Sequence, residues 1–413
     1  MEMPPGLRGR DIVCVGFADW DNELWTNQHH LMSRLARENR VLFVESLGLR
    51  RPQLAGRDLA RIWRRLRRGL GPPRAADGLQ VLSPLVLPFY RHRLIRAFNE
   101  RLLPALVRRA VRRLRFGEHP ILWAYVPQAE VLIDALRPSL VVYHCVDDMA
   151  AQAGIDAQTF RASERRFAPE ADLVLASAPA LAKRLRTLSD NVLDAPNVAD
   201  TDLFATALAP GPEDPALAAL PHPRIVFTGA IVTTKLDVAL IVGLARARPE
   251  WSFALVGPTG PGDPRADVSA LAAEPNVHLP GLRAYEQLPA VLRSADAAII
   301  PYARNELTRS IFPMKVYEYL AAGLPVVATE LPALAGVAEV RVAHDAPEMA
   351  RLLEQELAAD GPERRARRSA AAAAHSWERR LGEIGQAIAA LPERTVHDRA
   401  AHDRAPRHRA GRA

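Results

Sequence analysis

Cysteine is nearly absent: Cys14 and Cys145 are the only two in 413 residues. Two thiols cannot build a disulfide framework or fill a tetrahedral zinc site. Both stand in apolar runs, so buried thiols in a reducing compartment are expected. Lysine is almost as rare, with Lys183, Lys235 and Lys315 the only three among 54 basic residues. Where arginine is the default cation, a retained lysine suggests a need for its compact ammonium. No apolar run approaches the roughly 18 residues needed to span a bilayer. The opening MEMPPGLRGRDIVCVGF lacks the charged-then-apolar order of a secretion signal. A cytoplasmic protein is therefore expected. What is present is an ordinary globular balance, 49% hydrophobic and 24% charged, with length for two or three domains.

Charge is unevenly spread. Residues 50–115 hold 18 Arg against Asp58, Asp77 and Glu100, although the whole chain is only +7. Within that segment Leu59, Ile62, Trp63, Leu66 and Leu70 recur at helical spacing between arginines. A second basic helix is predicted from Arg91 to Arg115, with Leu94, Phe98, Leu102, Leu106 and Val107 as its apolar positions. Basic amphipathic helices bearing Trp and Leu suit an anionic membrane surface, and equally a core-facing stripe with a solvated arginine face. No recognised binding motif or stacking-aromatic pattern points to nucleic acid, so none is expected as partner.

Short β-branched runs alternate with helical periods along most of the chain, which predicts parallel sheets with crossover helices. Strands are expected at 11–16, 41–45, 79–83, 121–125, 140–145, 173–177 and 191–195. The pattern breaks where Pro210, Pro212, Pro215, Pro221 and Pro223 crowd together. It resumes with strands at 224–228, 251–256, 277–279, 297–301, 326–329 and 340–343. The predicted architecture is α/β, two doubly wound Rossmann-like domains at 1–198 and 224–375, joined by a linker at 199–223. A helix at 376–392 and a disordered basic tail at 393–413 complete it. Ligands of such sheets bind beyond the carboxyl ends of the strands, which places the chemistry in the cleft between the domains.

The most informative stretch runs from Pro301 to Thr329. After the strand ending at Pro301, a polar loop leads to Pro313, well suited to a first helical position. Lys315 and Glu318, three apart, share one face of the helix that follows. Backbone N–H groups of Ser310, Ile311 and Phe312 offer an anion seat at the helix start. A lysine adds a point charge for phosphate, and a carboxylate accepts two hydrogen bonds from a ribose diol.

Pro313 to Thr329 reads P-x-K-x-x-E-Y-x-A-x-G-x-P-V-V-x-T. This stretch resembles the donor-binding segment of nucleotide-sugar glycosyltransferases with the GT-B fold, and more closely the bacterial family-1/family-4-like group of polysaccharide and teichuronic-type polymer synthesis. Phe227-Thr-Gly-Ala-Ile231 with Lys235, Phe253 to Pro258, Asn276 to Gly281, Val142 to Asp148, and Ala195 to Phe204 are similar to further segments of that group. The resemblance implies transfer of a sugar from a nucleotide diphosphate donor to a carbohydrate or lipid-linked acceptor, without a cofactor. It implies that Gly229 lets backbone approach the diphosphate, that Lys235 and Lys315 meet its charge, and that Glu318 holds the ribose. By the same resemblance Asn276 to Leu282 line the base. Retaining relatives carry a Glu eight residues before the second Glu, where this chain has Ser310; a hydroxyl there supplies no charge.

On the acceptor side, Phe17-Ala-Asp-Trp-Asp-Asn22 follows the first strand. Asp19 and Asp21 are candidate bases, or caps of the helix near Thr26. His144, ending its strand beside Asp147 and Asp148, is a candidate catalytic residue, or a satisfied structural one. The adjacent His29 and His30 point to different faces of one helix, as packing or surface residues do. Asp-x-Asp occurs at Asp19/Asp21 and at Asp200/Asp202, but neither place suits a metal that bridges a diphosphate, so metal independence is expected. A nucleotide-sugar 2-epimerase of the same fold and a non-catalytic partner of a polymer-synthesis complex are the alternative readings. The protein is expected in the cytoplasm, on the inner face of the membrane if the basic helices bind it.

Overall fold

The computed structural model describes residues 4–47, 71–86, 93–152, 154–260 and 267–391. The first predicted basic helix and the C-terminal tail lie outside these residues. The first domain carries an eight-stranded sheet in the order β3-β4-β2-β1-β5-β6-β7-β8. Its strands are β1 (Asp11–Val15), β2 (Arg40–Val44), β3 (Arg74–Ala76), β4 (Leu79–Leu82), β5 (Ile121–Ala124), β6 (Leu140–Cys145), β7 (Leu173–Ala176) and β8 (Val192–Asp194). All pair in parallel except β3, which forms an antiparallel hairpin with β4. Asp77 and Gly78, both at positive φ, make the turn.

The second sheet is wholly parallel in the order β11-β10-β9-β12-β13-β14. Its strands are β9 (Arg224–Thr228), β10 (Ser252–Val256), β11 (Val277–His278), β12 (Ala297–Ile300), β13 (Val326–Thr329) and β14 (Val340–Ala343). Every residue of β9, β10, β12 and β13 is buried, as expected of strands covered by helices on both faces. Strand order reverses at β1/β5 in one sheet and at β9/β12 in the other, and the loops at those two switch points carry the candidate site.

Proline did not make the linker structureless. Asp200 caps a short helix, Thr201–Ala205, and Asp214 caps another, Pro215–Ala218, by accepting from backbone N–H groups. Ala199 pairs with Ser376 as the chain passes back from the second domain. The Trp377–Ala389 helix then packs on the first sheet, burying Trp377, Leu381 and Ile384 with Ile12, Cys14, Trp123 and Val142. Cys14 and Cys145 are free and buried.

The Arg93–Arg113 helix forms as predicted, but its apolar register is different. Leu103, Val107 and Ala110 are buried, whereas Leu94 is 85% and Phe98 51% exposed. Among the described residues no helix is long and apolar enough to cross a membrane.

Candidate active site

At the carboxyl end of β9, the hydroxyl of Tyr319 accepts the Thr228 N–H at 2.7 Å and lies 3.1 Å from Thr228 Oγ1. Tyr319 and Lys315 stand one turn apart on the Lys315–Ala321 helix, so the face that holds the strand end also places Lys315 above it. Gly229 follows at φ +125. A Cβ at this position would sit 2.6 Å from both Cε and Nζ of Lys315. Nζ lies 5.5 Å from the centroid of the Phe227 ring, a cation–π contact. At the end of β10, Gly257 has φ +153, and a side chain there would run into the Gly229 carbonyl. Only glycine allows these two turns to pack against each other beneath an ammonium.

Glu318, three residues beyond Lys315, is 6% exposed. Burial pushes its carboxyl above the usual range, and the Lys315 ammonium draws it part of the way back. Across from it, burial raises the Tyr285 phenol and the Glu318 charge raises it further. Lys235 is half-buried in a loop fixed at several points. Its carbonyl accepts the Ala303 N–H at 2.8 Å, and the Thr234 carbonyl accepts from Asn305 Nδ2 at 3.0 Å. The β9 and β12 loops are thus tied together through the backbone of Thr234 and Lys235.

Several predicted donor residues are used differently. Asn276 stands at the amino end of β11, away from the cleft, where Nδ2 is directed at the carbonyls of Ala245, Arg248 and Trp251 within 3.1 Å. It closes the end of the Val238–Ala247 helix and does not line a base site. Leu282, beyond the carboxyl end of β11, is 37% exposed. The expected anion seat is largely occupied by the chain itself. The Ser310 N–H bonds to Leu307 O and the Ile311 N–H to Thr308 O, because the loop turns tightly after the Glu306–Arg309 helix. Ser310, Ile311 and Phe312 are all buried, and Phe312 stacks on Tyr317.

On the first domain, Thr26 rather than an aspartate begins the Asn27–Leu35 helix. The Thr26 N–H donates to His29 Nδ1 at 3.1 Å, so the ring proton resides on Nε2, which donates to the Asp19 carbonyl at 3.1 Å. Asp19 is half-buried at this bend. Asp21 is paired with Arg74 and Asp200 with Arg34. Trp25 is 36% exposed and stacks on His29. His29 and His30 are both fully buried. His30 lies 4.7 Å from Tyr285 and 5.4 Å from Trp377, ring centre to ring centre, so it sits at the seam between the domains.

His144 does not face the cleft. Its side chain is 2% exposed on the sheet face covered by the C-terminal helix, stacked on Tyr125 at 4.9 Å, with neither ring nitrogen hydrogen-bonded. Burial, reinforced by Arg380, lowers its pKa to about 3. It is neutral at pH 7 and out of reach of a cleft substrate.

Two residues absent from the sequence-based set join the halves. Asn27 Nδ2 donates to Asn197 Oδ1 at 2.8 Å, and Asn197 Nδ2 donates to the Phe312 carbonyl at 2.8 Å. The nearest sequence signal was Asn197 within the segment similar to the linker entry. Asn27 carried none, because its partner is 170 residues away. Among the described residues no group of three or more His, Cys, Asp or Glu could hold a metal ion.

Residues 222–358 match the family described as Glycosyl transferases group 1. The chain is 30% identical over 259 residues to TuaH of Bacillus subtilis (strain 168), named as a candidate teichuronic acid biosynthesis glycosyltransferase. That alignment covers 59% of this chain and 62% of TuaH, less than two thirds of the relative. Among solved structures, sucrose-phosphate synthase from Thermosynechococcus elongatus aligns with TM-score 0.64 and 16% identity, over 91% of this chain and 98% of that one. Anabaena HepE in complex with UDP and glucose aligns with TM-score 0.61 and 14% identity, over 92% and 100%. The E. coli structure described as trehalose-6-phosphate bound with UDP-2-fluoro glucose aligns with TM-score 0.63 and 10% identity, over 92% and 99%. The fold is GT-B.

Proposed function

We propose that this GT-B chain, whose second domain carries the group 1 glycosyl transferase match, moves a sugar from a nucleotide diphosphate donor to a carbohydrate or lipid-linked acceptor in cell-surface polysaccharide synthesis. The observation that carries the reading is the contact of Gly229 with Lys315, with buried Glu318 one turn along. A bare backbone turn beneath an ammonium admits a diphosphate, and a carboxylate beside it accepts from a ribose diol. Lys315 and Lys235 then stabilise charge that grows on the leaving nucleotide as the sugar–phosphate bond breaks. We assign that stabilisation to the two ammonium groups without a metal; unchanged turnover in EDTA is the expected result. We assign the acceptor to the β1 loop, with Asp19 as its base and the half-open Trp25 ring as a surface for a sugar. Ser310 supplies a hydroxyl but no charge to the donor sugar.

A thermal-shift panel of UDP-, GDP-, dTDP- and ADP-sugars tests the donor, since a ligand stabilises the fold it binds. One nucleotide is expected to raise the melting temperature, and Lys315→Ala to reduce that rise without abolishing it. In turnover the same variant should lose at least about 2 kcal/mol of transition-state stabilisation. A rise of equal size in the variant excludes Lys315 from the site. Release of an epimerised free sugar from UDP-N-acetylglucosamine alone supports the epimerase, and binding without turnover supports the non-catalytic partner.

The same reading includes a site on the inner membrane face. The Arg93–Arg113 helix leads into β5, so it runs against the strand and begins at the cleft edge of the sheet. The exposed Leu94 and Phe98 lie at that end, with Arg101, Arg108, Arg109, Arg112 and Arg113 exposed along the rest. Apolar side chains beside arginines fit the interface of an anionic bilayer.

A further inference from the structure

The Asn27–Asn197 pair is the middle of a longer chain of donors. Tyr125, just past the end of β5, donates its hydroxyl to Asn27 Oδ1 at 3.0 Å. Asn27 Nδ2 passes to Asn197 Oδ1 at 2.8 Å, and Asn197 Nδ2 to Phe312 O at 2.8 Å. Each amide accepts through oxygen from the group behind it and donates through nitrogen to the group ahead. All four residues are less than 9% exposed, so water does not compete for these bonds. The root is held as well, since the Tyr125 ring stacks on His144 and meets the edge of Phe17. Burial keeps the phenol protonated, as the direction of the chain requires.

The end points give this relay its meaning. Phe312 is followed by Pro313, whose ring fixes φ, and then by Met314 and Lys315. With the Ser310 and Ile311 N–H groups spent inside their own turn, Asn197 provides a bond from outside that turn to the backbone leading into Lys315. Asn27 opens the first helix of the acceptor domain, and Asn197 stands where the chain leaves that domain for the linker. We infer that Asn27 and Asn197 are positioning residues for donor binding: through the Phe312 carbonyl they set the Lys315 ammonium over Gly229, so that the phosphate grip depends on the first domain being in place. The inference rests on the donor reading above and adds to it a control by the acceptor domain. An ammonium displaced by about 1 Å loses much of its value to a bound charge. The Asn197–Phe312 bond spans the two domains, so it couples the Lys315 segment to the first domain.

Calorimetric titration with UDP, or with whichever diphosphate the panel selects, tests this on the full chain. Asn197→Leu removes the last link. As a carboxylate, Asn27→Asp still accepts from Tyr125 but cannot donate to Asn197, so it is measured at pH 8 and replaces Asn197→Leu if that variant fails to fold. Each is expected to weaken binding about tenfold, in line with a misplaced positioning group. The deciding measurement is a double-mutant cycle with Lys315→Ala. If the relay acts through Lys315, the asparagine substitutions cost nothing further in the Lys315→Ala background. Additive losses, or wild-type affinity in Asn27→Asp, overturn the inference while leaving the donor reading intact. A wild-type protein that binds none of the four nucleotides removes the donor reading and the relay's role with it.

Discussion

Glu318 shows how one carboxylate carries both a cost and a use. Buried beside a single ammonium, it is held above the ordinary carboxylate range. The folded state therefore binds more protons than the unfolded chain just above the ordinary carboxyl value of 4.5, and stability falls as pH rises through that window. A ribose diol donating two hydrogen bonds favours the ionised form and draws the pKa down. Nucleotide binding is accordingly expected to release protons at mildly acidic pH. Titrations in buffers of different ionisation enthalpy read that release directly. Glu318→Gln should lose this part of it and bind more weakly, and proton release equal to wild type would place the ribose elsewhere.

At the scale of elements, the same strand-end logic led to one position at the candidate site and one sealed away from it. Lys315 lies where a helix starts over a strand end, and its side chain reaches the Gly229 turn. His144 also stands at a strand end, but strand alternation puts it on the face that the Trp377–Ala389 helix covers. His144 and His29 are both neutral, with pKa values lowered to about 3 and about 4 from 6.5. The unfolded chain binds more protons than the folded one below pH 6.5, so stability is lost as pH falls through that window. At full titration His144 alone accounts for roughly 5 kcal/mol, at 1.36 kcal/mol for each pKa unit. His144→Phe should flatten the fall in urea midpoint between pH 7 and pH 4.5 while keeping activity at pH 7. Loss of turnover in a folded His144→Phe protein would restore a catalytic role.

The whole molecule combines a candidate donor site in one domain with a basic, partly apolar edge in the other. Flotation with vesicles tests whether that edge meets lipid. Recovery is expected with anionic vesicles and not with neutral ones, and Leu94→Ser with Phe98→Ser should reduce it by at least several-fold, in keeping with the lost apolar insertion. Equal recovery on both vesicle types would argue against an electrostatic surface. Cleft closure belongs to the same scale, because a sugar transferred in a dry site is protected from water.

The residue pattern alone determined two doubly wound sheets, the order of their strands along the chain, and the placing of Lys315 and Glu318 on one helix. Those features depend on periodicity and on spacings of a few residues, which a linear string records. It could not determine which sheet face receives the returning C-terminal helix, and hence that His144 is sealed in. Nor could it show that Asn276 caps a helix end, or that Asn27 and Asn197 meet. Each of those depends on groups separated by tens to hundreds of residues, and only the packing of complete layers brings such groups into contact.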